Sequence, residues 1–372
     1  MWHRGRRGAA VVLLALTASM GLLAQACASD KSPSASGGSG ASSGGTPAPQ
    51  TITVVTHDSF AVSDNVLQAF EDQTGITVKQ VKGGDAGAVV NQAILTKDHP
   101  QGDVLYGIDN TLLTKGLDAG LFEPYSSPAM SAVDPQYDLD SQQHRVTPVD
   151  ESDVCLNYDK TKFGGAGQPA APQTLEDLTK PEFKDAVVVE NPATSSPGLA
   201  FLVATVEHFG DSHYLDYWRQ LKANGLKVDD GWDQAYNNDF TVGSSGTGTR
   251  SVVLSYATSP PADVVFANPP KDDTSVGVVS DSCFKQIEFV GVLKGTSHAD
   301  AAHRFIDFML SKQFQEDMPL QMYVYPVRPD AALPDVFTKF AVKPPNPIEL
   351  DPQSIGANRE RWIDDWTSAV LG

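Results

Sequence analysis

The sequence predicts an α/β protein of two lobes, each a sheet covered by helices. Three observations carry that expectation. Strand-like runs rich in β-branched residues alternate with helical periods over short links, the pattern of a mostly parallel sheet. The pattern occurs again in the second half of the chain. The stretch able to build a core, about residues 51–372, exceeds the usual size of one hydrophobic core.

Thr51-Ile-Thr-Val-Val-Thr56 is a strand, with His57-Asp58-Ser59-Phe60 as the loop after it. Residues 64–73 read as a helix, with Val66, Leu67 and Phe70 on one face. Ile76 to Val81 is a strand and Ala88 to Thr96 a helix. Asp103 to Ile108 is a third strand, followed by Asp109-Asn110 and a helical stretch through Leu112, Leu113 and Leu117. The second series starts with β-like Asp153–Tyr158 and the strand Ala186–Glu190. Asn191-Pro-Ala-Thr-Ser-Ser-Pro-Gly198 then opens an apolar helix, Leu199 to His208, and Tyr214 to Ala223 is another helix. Ser251 to Ser255 is a strand ending at Tyr256. Ser282–Val290 is β-like, Ile287–Leu293 is a strand, and Asp300–Leu310 is a helix with Ser297 placed to cap it. No repeat at a fixed period is present.

The N-terminus carries an address. Arg4, Arg6 and Arg7 precede an apolar run from Ala9 to Ala24, the layout of a secretory signal. That run is short of the roughly 20 residues that span a bilayer. Leu23-Ala-Gln-Ala-Cys27 resembles the lipobox of bacterial lipoproteins, which implies a signal peptide over 1–27 and a lipid on Cys27. Residues 28–50 are mostly Ser, Gly, Ala and Pro, a composition that forms a flexible tether rather than a core. The expected location is therefore extracytoplasmic and lipid-anchored.

The chain has a net charge of −19. Without residues 1–27 it holds 24 basic against 46 acidic side chains, a net −22. Such a balance excludes phosphate-backbone binding as the main task, so no nucleic-acid partner is expected. It suits solubility, and it mildly favours a cationic ligand. With Cys27 lipidated, Cys155 and Cys283 remain as an even pair in an oxidising compartment, and a disulfide between them is expected.

Catalytic motifs fail in context. Gly40-Ala-Ser-Ser-Gly44 has the letters of a nucleophile elbow but lies in the tether. Gly243-Ser-Ser-Gly-Thr-Gly-Thr-Arg250 lacks the Gly-Lys-Ser/Thr ending of a phosphate loop and reads as a mobile surface loop. His208/His213 and His298/His303 are five apart, the wrong spacing for two ligands on one helical face, and no metal is expected. A secreted hydrolase would need a nucleophile–base pair, and none stands in a credible setting.

Binding residues are easier to nominate. In open parallel sheets ligands sit beyond the carboxyl ends of strands. There the chain places His57, Asp58 and Ser59, then Asp85, Asp109, Thr194, Ser195 and Ser196, and Tyr256. The hydroxyls of 194–196 at a helix start could cap it or receive a polar group. Trp232 and Tyr236 are four apart, and Tyr323 and Tyr325 precede Pro326. These rings could be core, or could wall a pocket for a flat cation at about 0.5–2 kcal/mol per contact.

Taken in order, these segments resemble the thiamine-binding proteins of ABC importers. The likeness rests on Val54-Val-Thr-His-Asp-Ser-Phe60, Gly107-Ile-Asp-Asn-Thr-Leu-Leu113, Asn191 to Leu199, Gly231-Trp-Asp-Gln-Ala-Tyr236, Leu254-Ser-Tyr-Ala-Thr-Ser-Pro260 and Tyr325-Pro-Val327. It implies a type II periplasmic-binding fold with hinge strands. Lobe 1 would hold 51–153 and 283–312, and lobe 2 would hold 154–282 and 313–372. It implies thiamine or its phosphates as ligand, an ABC permease as partner, a monomer, no cofactor and no catalysis. Trp232 and Tyr256 would face the rings, and Asp85 would accept from the aminopyrimidine. Asp58 and Ser59 would line the cleft. Thr194, Ser195 and Ser196 would meet the hydroxyethyl or phosphate end, with Ser259 adding a polar contact. His57 stands where the family carries a Tyr, Asp64 near a Trp, Ala262 near a Tyr, and Tyr323 at a Trp. The same fold could serve another cationic solute such as a polyamine. Ferric iron is disfavoured, because Tyr256 is followed by Ala257 rather than a second Tyr.

Overall fold

The computed structural model describes residues 50–372 except Pro270. The signal segment, Cys27 and residues 28–49 of the expected tether lie outside the described residues, and Gln50 already belongs to the first strand. Strand β1 (Gln50–Thr56) leads to α1 (Asp64–Thr74), β2 (Ile76–Lys82), α2 (Ala86–Leu95), β3 (Val104–Asp109), α3 (Leu113–Asp118) and the short β4 (Phe122–Glu123). The long β5 (Thr147–Asp159) follows, then β6 (Val187–Glu190), α4 (Ser196–Phe209), α5 (Tyr214–Ala223) and β7 (Lys227–Asp229). The chain continues through β8 (Val252–Tyr256), α6 (Pro260–Val265), the 18-residue β9 (Val276–Leu293), α7 (Ala299–Met309) and α8 (Lys312–Gln321). It ends with β10 (Tyr325–Pro326), α9 (Asp335–Phe340) and α10 (Pro352–Val370). Among the described residues no helix is long and apolar enough to cross a membrane.

The sheet order is β2-β1-β3-β9-β5-β8-β6-β7. Two parallel trios, β2-β1-β3 and β8-β6-β7, flank a central antiparallel pair, β9 and β5. The sheet is therefore mixed rather than mostly parallel. Each trio is a strand–helix series of the kind the sequence shows. The two β-like runs 282–290 and 287–293 prove to be parts of the single strand β9.

Register places the site. The last residue of β3, Asp109, pairs with Glu288 of β9, and the last residue of β8, Tyr256, pairs with Val154 of β5. The carboxyl ends of strands from both trios thus meet the middle of the central pair. There Asp150 faces Glu288 and Ser152 faces Gln286 across the ladder.

Local sequence explains these elements. Ile52, Val54 and Thr56 of β1 alternate inward, as expected of a half-buried strand. All six residues of β3 are buried, as befits a strand covered on both faces. Gly107 interrupts it with φ +97°, and a Cβ there would fall 2.3 Å from the His57 ring, so the imidazole packs on bare backbone. Helix α1 ends at Gly75 in the left-handed conformation and packs Phe70 against Phe305 and Phe308 of α7. Helix α4 is buried from Ser196 to Val206 and packs with α5 and α10 through Phe201, Trp218 and Trp366. Helix α7 starts one residue later than Ser297 allows. His298 precedes it, its carbonyl accepts from Ala301 and Ala302, and no side chain caps the turn. Residues Phe314, Met318 and Val324 share a core with Ile52, Phe70 and Phe305. The glycine-rich segment 243–250 runs at the surface, with Ser244 bonded to Asn237.

Cys155 and Cys283 form a disulfide, as the sequence leads one to expect. It ties β5 to β9 where the register slips between Val154 and Leu156. Replacing both cysteines by alanine is expected to lower the unfolding free energy by about 2–5 kcal/mol, read as a lower urea midpoint. An unchanged midpoint would show that strand pairing alone holds this bulge.

Asp153 is buried nearby, with Oδ1 lacking a partner. Burial and the neighbouring Glu151 push its carboxyl up to about 7, against the pull of Lys285 and Lys343. A raised acid stabilises the fold while protonated, fully so below its unfolded value. That contribution is lost as pH rises through about 7. Asp153→Asn, which mimics the protonated acid, is expected to gain on wild type in urea unfolding between about pH 5 and pH 8. Parallel pH profiles would remove Asp153 as the cause.

Candidate functional site

The middle of the central pair floors a cavity of about 470 Å³. The loop after β1 brings His57, Asp58 and Ser59 to its wall, and the loop before α2 brings Gly84 and Asp85. Thr194 and Ser196 come from the start of α4. Asp230, Trp232, Asp233 and Tyr236 follow β7, Tyr256 ends β8, and Ser259 immediately precedes α6. Met322, Tyr323 and Val324 close the far side.

Two nominated residues stand behind this wall. Asp109 is fully buried, and its carboxylate accepts from Thr111, from the Leu112 N–H and from Gln286 Nε2 at 2.7 Å. Burial pushes it up to about 6. Gln286 in turn donates to Ser196 Oγ at 3.0 Å, so Asp109 holds a wall residue in place. Ser195 is buried and caps α4, its Oγ accepting from the Gly198 N–H. Its side chain serves the helix.

Asp150, Ser152, Gln286 and Glu288 line the floor although no motif nominates them. Their signal is spacing. Residues two apart on a strand share one face, and here the pairs Asp150/Ser152 and Gln286/Glu288 both face the cavity.

The floor is a charged network. Tyr106 Oη lies 2.5 Å from Asp150 and 3.0 Å from Glu288, and the His57 imidazole lies 3.4 Å from Glu288. One phenolic proton cannot serve two carboxylates. Burial, and then the charge of Glu288, push Asp150 well above its usual carboxylate value. Burial opposes ionisation of Glu288 too, but His57 beside it holds its carboxyl below the usual value. Burial works against the His57 cation, and Glu288, Asp85 and Asp58 nevertheless raise it.

Asp85 joins segments far apart in the chain. Its Oδ1 accepts from the N–H of Ala86 at 2.6 Å and of Ser196 at 3.3 Å, and its Oδ2 from the N–H of Trp232 at 2.9 Å. Burial raises its carboxyl, and these backbone donors act against that rise. Beside it the Ala88 N–H donates to the Thr194 carbonyl at 2.9 Å. A Cβ on Gly87 would fall 2.6 Å from that same oxygen, so the contact requires glycine.

The aromatic wall is ordered. Trp232 stacks on Tyr236 with ring centroids 4.9 Å apart and planes at 14°. It tilts towards Tyr256 at 6.4 Å. Its Nε1 donates to Ser255 Oγ at 2.9 Å, and Ser255 bonds to Ser259. Elsewhere, Glu176, His208 and Asp281 place ligand-type atoms within 4.8 Å of one another, all exposed and none in the cavity wall.

Such a cavity, with aromatic faces beside carboxyl groups, can hold a small flat molecule. Comparison with known proteins agrees with a binding role. Residues 100–348 match the model of the bacterial extracellular solute-binding proteins. The thiamine-binding periplasmic protein of Salmonella typhimurium is 31% identical over 86% of this chain and 93% of its own length. That of Escherichia coli is 30% identical over the same shares. A solved periplasmic thiamin binding protein superimposes over 88% of this chain and 98% of its own, with a TM-score of 0.76 and 28% identity. The fold is thus the type II periplasmic-binding arrangement, and the chain belongs to the bacterial extracellular solute-binding protein family.

Proposed function

We propose that the chain captures thiamine outside the membrane and delivers it to the permease of an ABC importer, held at the surface by a lipid on Cys27. The observation that carries this reading is the make-up of the cavity. Trp232, Tyr236, Tyr256 and Tyr323 share its wall with Asp58, Asp85, Asp150 and Glu288, and neither Lys nor Arg is among the lining residues. A cationic thiazolium gains from π faces and nearby carboxylates, more so where water is excluded. The volume falls within the usual range for small-molecule sites, about 300–1,000 Å³. The relatives' named ligand supports the same assignment.

Two lobes would move about β5 and β9, with the break near residues 153 and 283. Residues 313–324 would travel with the first lobe, on whose core they pack. Ligand bound to one lobe favours closure by its added contacts with the other. No bond is made or broken, and the protein acts as a monomer.

Calorimetric titration of the purified chain with thiamine, and in parallel with spermidine, tests the ligand. Saturable thiamine binding is expected. Binding of spermidine alone would move the assignment to polyamines. Trp232→Ala is expected to weaken thiamine binding by about one to two orders of magnitude, the loss of roughly 1.5–3 kcal/mol. Undiminished affinity in that variant would take Trp232 out of the site.

A further inference from the structure

We propose that a second cavity, under helix α2, is a binding site for a small carboxylate with a short apolar tail. It is separate from the cavity described above, and nothing in it depends on what that cavity binds.

The second cavity measures about 110 Å³ and lies between α2 and the sheet. Strand periodicity builds its floor. Ile52, Val54 and Thr56 turn to one face of β1, so Val55 falls on the other. Register then sets Val81 of β2, Val55 and Leu105 of β3 in one row across the sheet. Val89 and Ala93, one turn apart on α2, cover part of that row. The helix stops at Leu95, and the cover stops with it. Leu105 is fully buried, while Val55 and Val81 remain half-buried. An uncovered apolar row gains from contact with apolar atoms.

The mouth has the opposite character to that of the first cavity. Lys82, Lys97 and Lys294 stand around it, and neither Asp nor Glu is among the lining residues. All three lysines are exposed. Lys82 Nζ donates to the Asp58 carbonyl at 2.7 Å, and Lys97 Nζ to the Ala119 carbonyl at 3.3 Å. A neutral carbonyl occupies one of the three ammonium donors and leaves the charge uncompensated. Thr96 and Lys97 also bring the end of α2 to the mouth, and a helix end carries about −0.5 charge. Three ammonium groups outweigh it. In a chain of net charge −19, this combination of lysines over an apolar floor selects an anionic head with an apolar tail. The lysines come from separate elements and act as point charges, with no guanidinium fork among the lining residues, which suits a singly charged carboxylate. The volume is well below the roughly 300–1,000 Å³ of drug-sized sites, so the tail is short.

The test is calorimetry and thermal shift on the full chain with acetate, pentanoate and decanoate, and with pentanol and pentylamine as tails lacking the anion. Burying a methylene is worth about fourfold in affinity. Pentanoate is therefore expected to bind about tenfold or more tightly than acetate, and more tightly than pentanol or pentylamine, with affinity falling as salt rises. Decanoate should gain nothing further, since its extra carbons find no room. Lys97→Gln/Lys294→Gln, which leaves Lys82 on the Asp58 carbonyl, is expected to weaken pentanoate about tenfold. Ala93→Leu, which fills the cavity from α2, should abolish pentanoate binding while urea unfolding shows the chain still folded. Pentanoate no better than acetate or pentanol overturns the proposal. So does affinity that keeps climbing to decanoate, the mark of unspecific adhesion, or pentanoate binding that both variants leave unchanged.

Discussion

The antiparallel pairing of β5 with β9 is the constraint on which the rest of the molecule depends. Both parallel trios attach to this pair, one through β3 and the other through β8. Because β3 ends opposite Glu288 and β8 ends opposite Val154, the polar strand ends of both converge on one short stretch of ladder. A shift of one residue would turn Asp150, Ser152, Gln286 and Glu288 to the other face and put Glu151, Asp153, Lys285 and Ile287 on the cavity floor. The disulfide at the bulge between Val154 and Leu156 secures that register from the covalent side.

Given this floor, the charges arrange themselves by competition for few protons and few donors. Tyr106 offers one proton to two carboxyls; Asp150 is pushed well up by burial and by Glu288, while His57 draws Glu288 down. Asp85 faces the same scarcity with a different outcome, for three backbone N–H groups are available to it. Glu190, at the end of β6, shows what happens when neither is to hand. It is fully buried, both its oxygens lack partners, and burial together with Asp85 pushes its carboxyl far up. A neutral acid there leaves the protein rich in carboxyl groups without burying an unpaired charge.

Much of this was legible in the sequence, for physical reasons that differ by element. The strand–helix alternation of each trio is local, and β-branched runs such as Thr51–Thr56 announce it. The strand-end residues could be nominated because a parallel strand must end in a loop. The central antiparallel pair could not be foreseen in the same way, since its partners lie more than a hundred residues apart and the pairing leaves no local mark. Hence Gln286 and Glu288 were hidden in a stretch that reads simply as a buried strand. Asp109 and Ser195 show the converse. Both carry the right chemistry at the right kind of position, yet each turns inward to hold its own loop or helix. Backbone donors close at hand compete with a ligand for short polar side chains, and spacing alone does not say which prevails. Helix α10 has a local signal, an Asp351-Pro352 start and Ile355, Trp362, Trp366 and Val370 at helical spacing, but its packing partners α3, α4 and α5 lie far up the chain and are not legible there.

Trp232 links recognition to the meeting of distant segments. Its backbone N–H is held by Asp85 from the loop before α2, its Nε1 by Ser255 at the end of β8, and its ring by the face of Tyr236. The orientation of the principal π wall is therefore set partly by a carboxylate from the other trio. Forming the wall and bringing Asp85 onto the start of α4 are the same event. On the reading proposed above, a guest stacked on this ring would draw on the same bond that joins the two trios, which would couple its binding to closure.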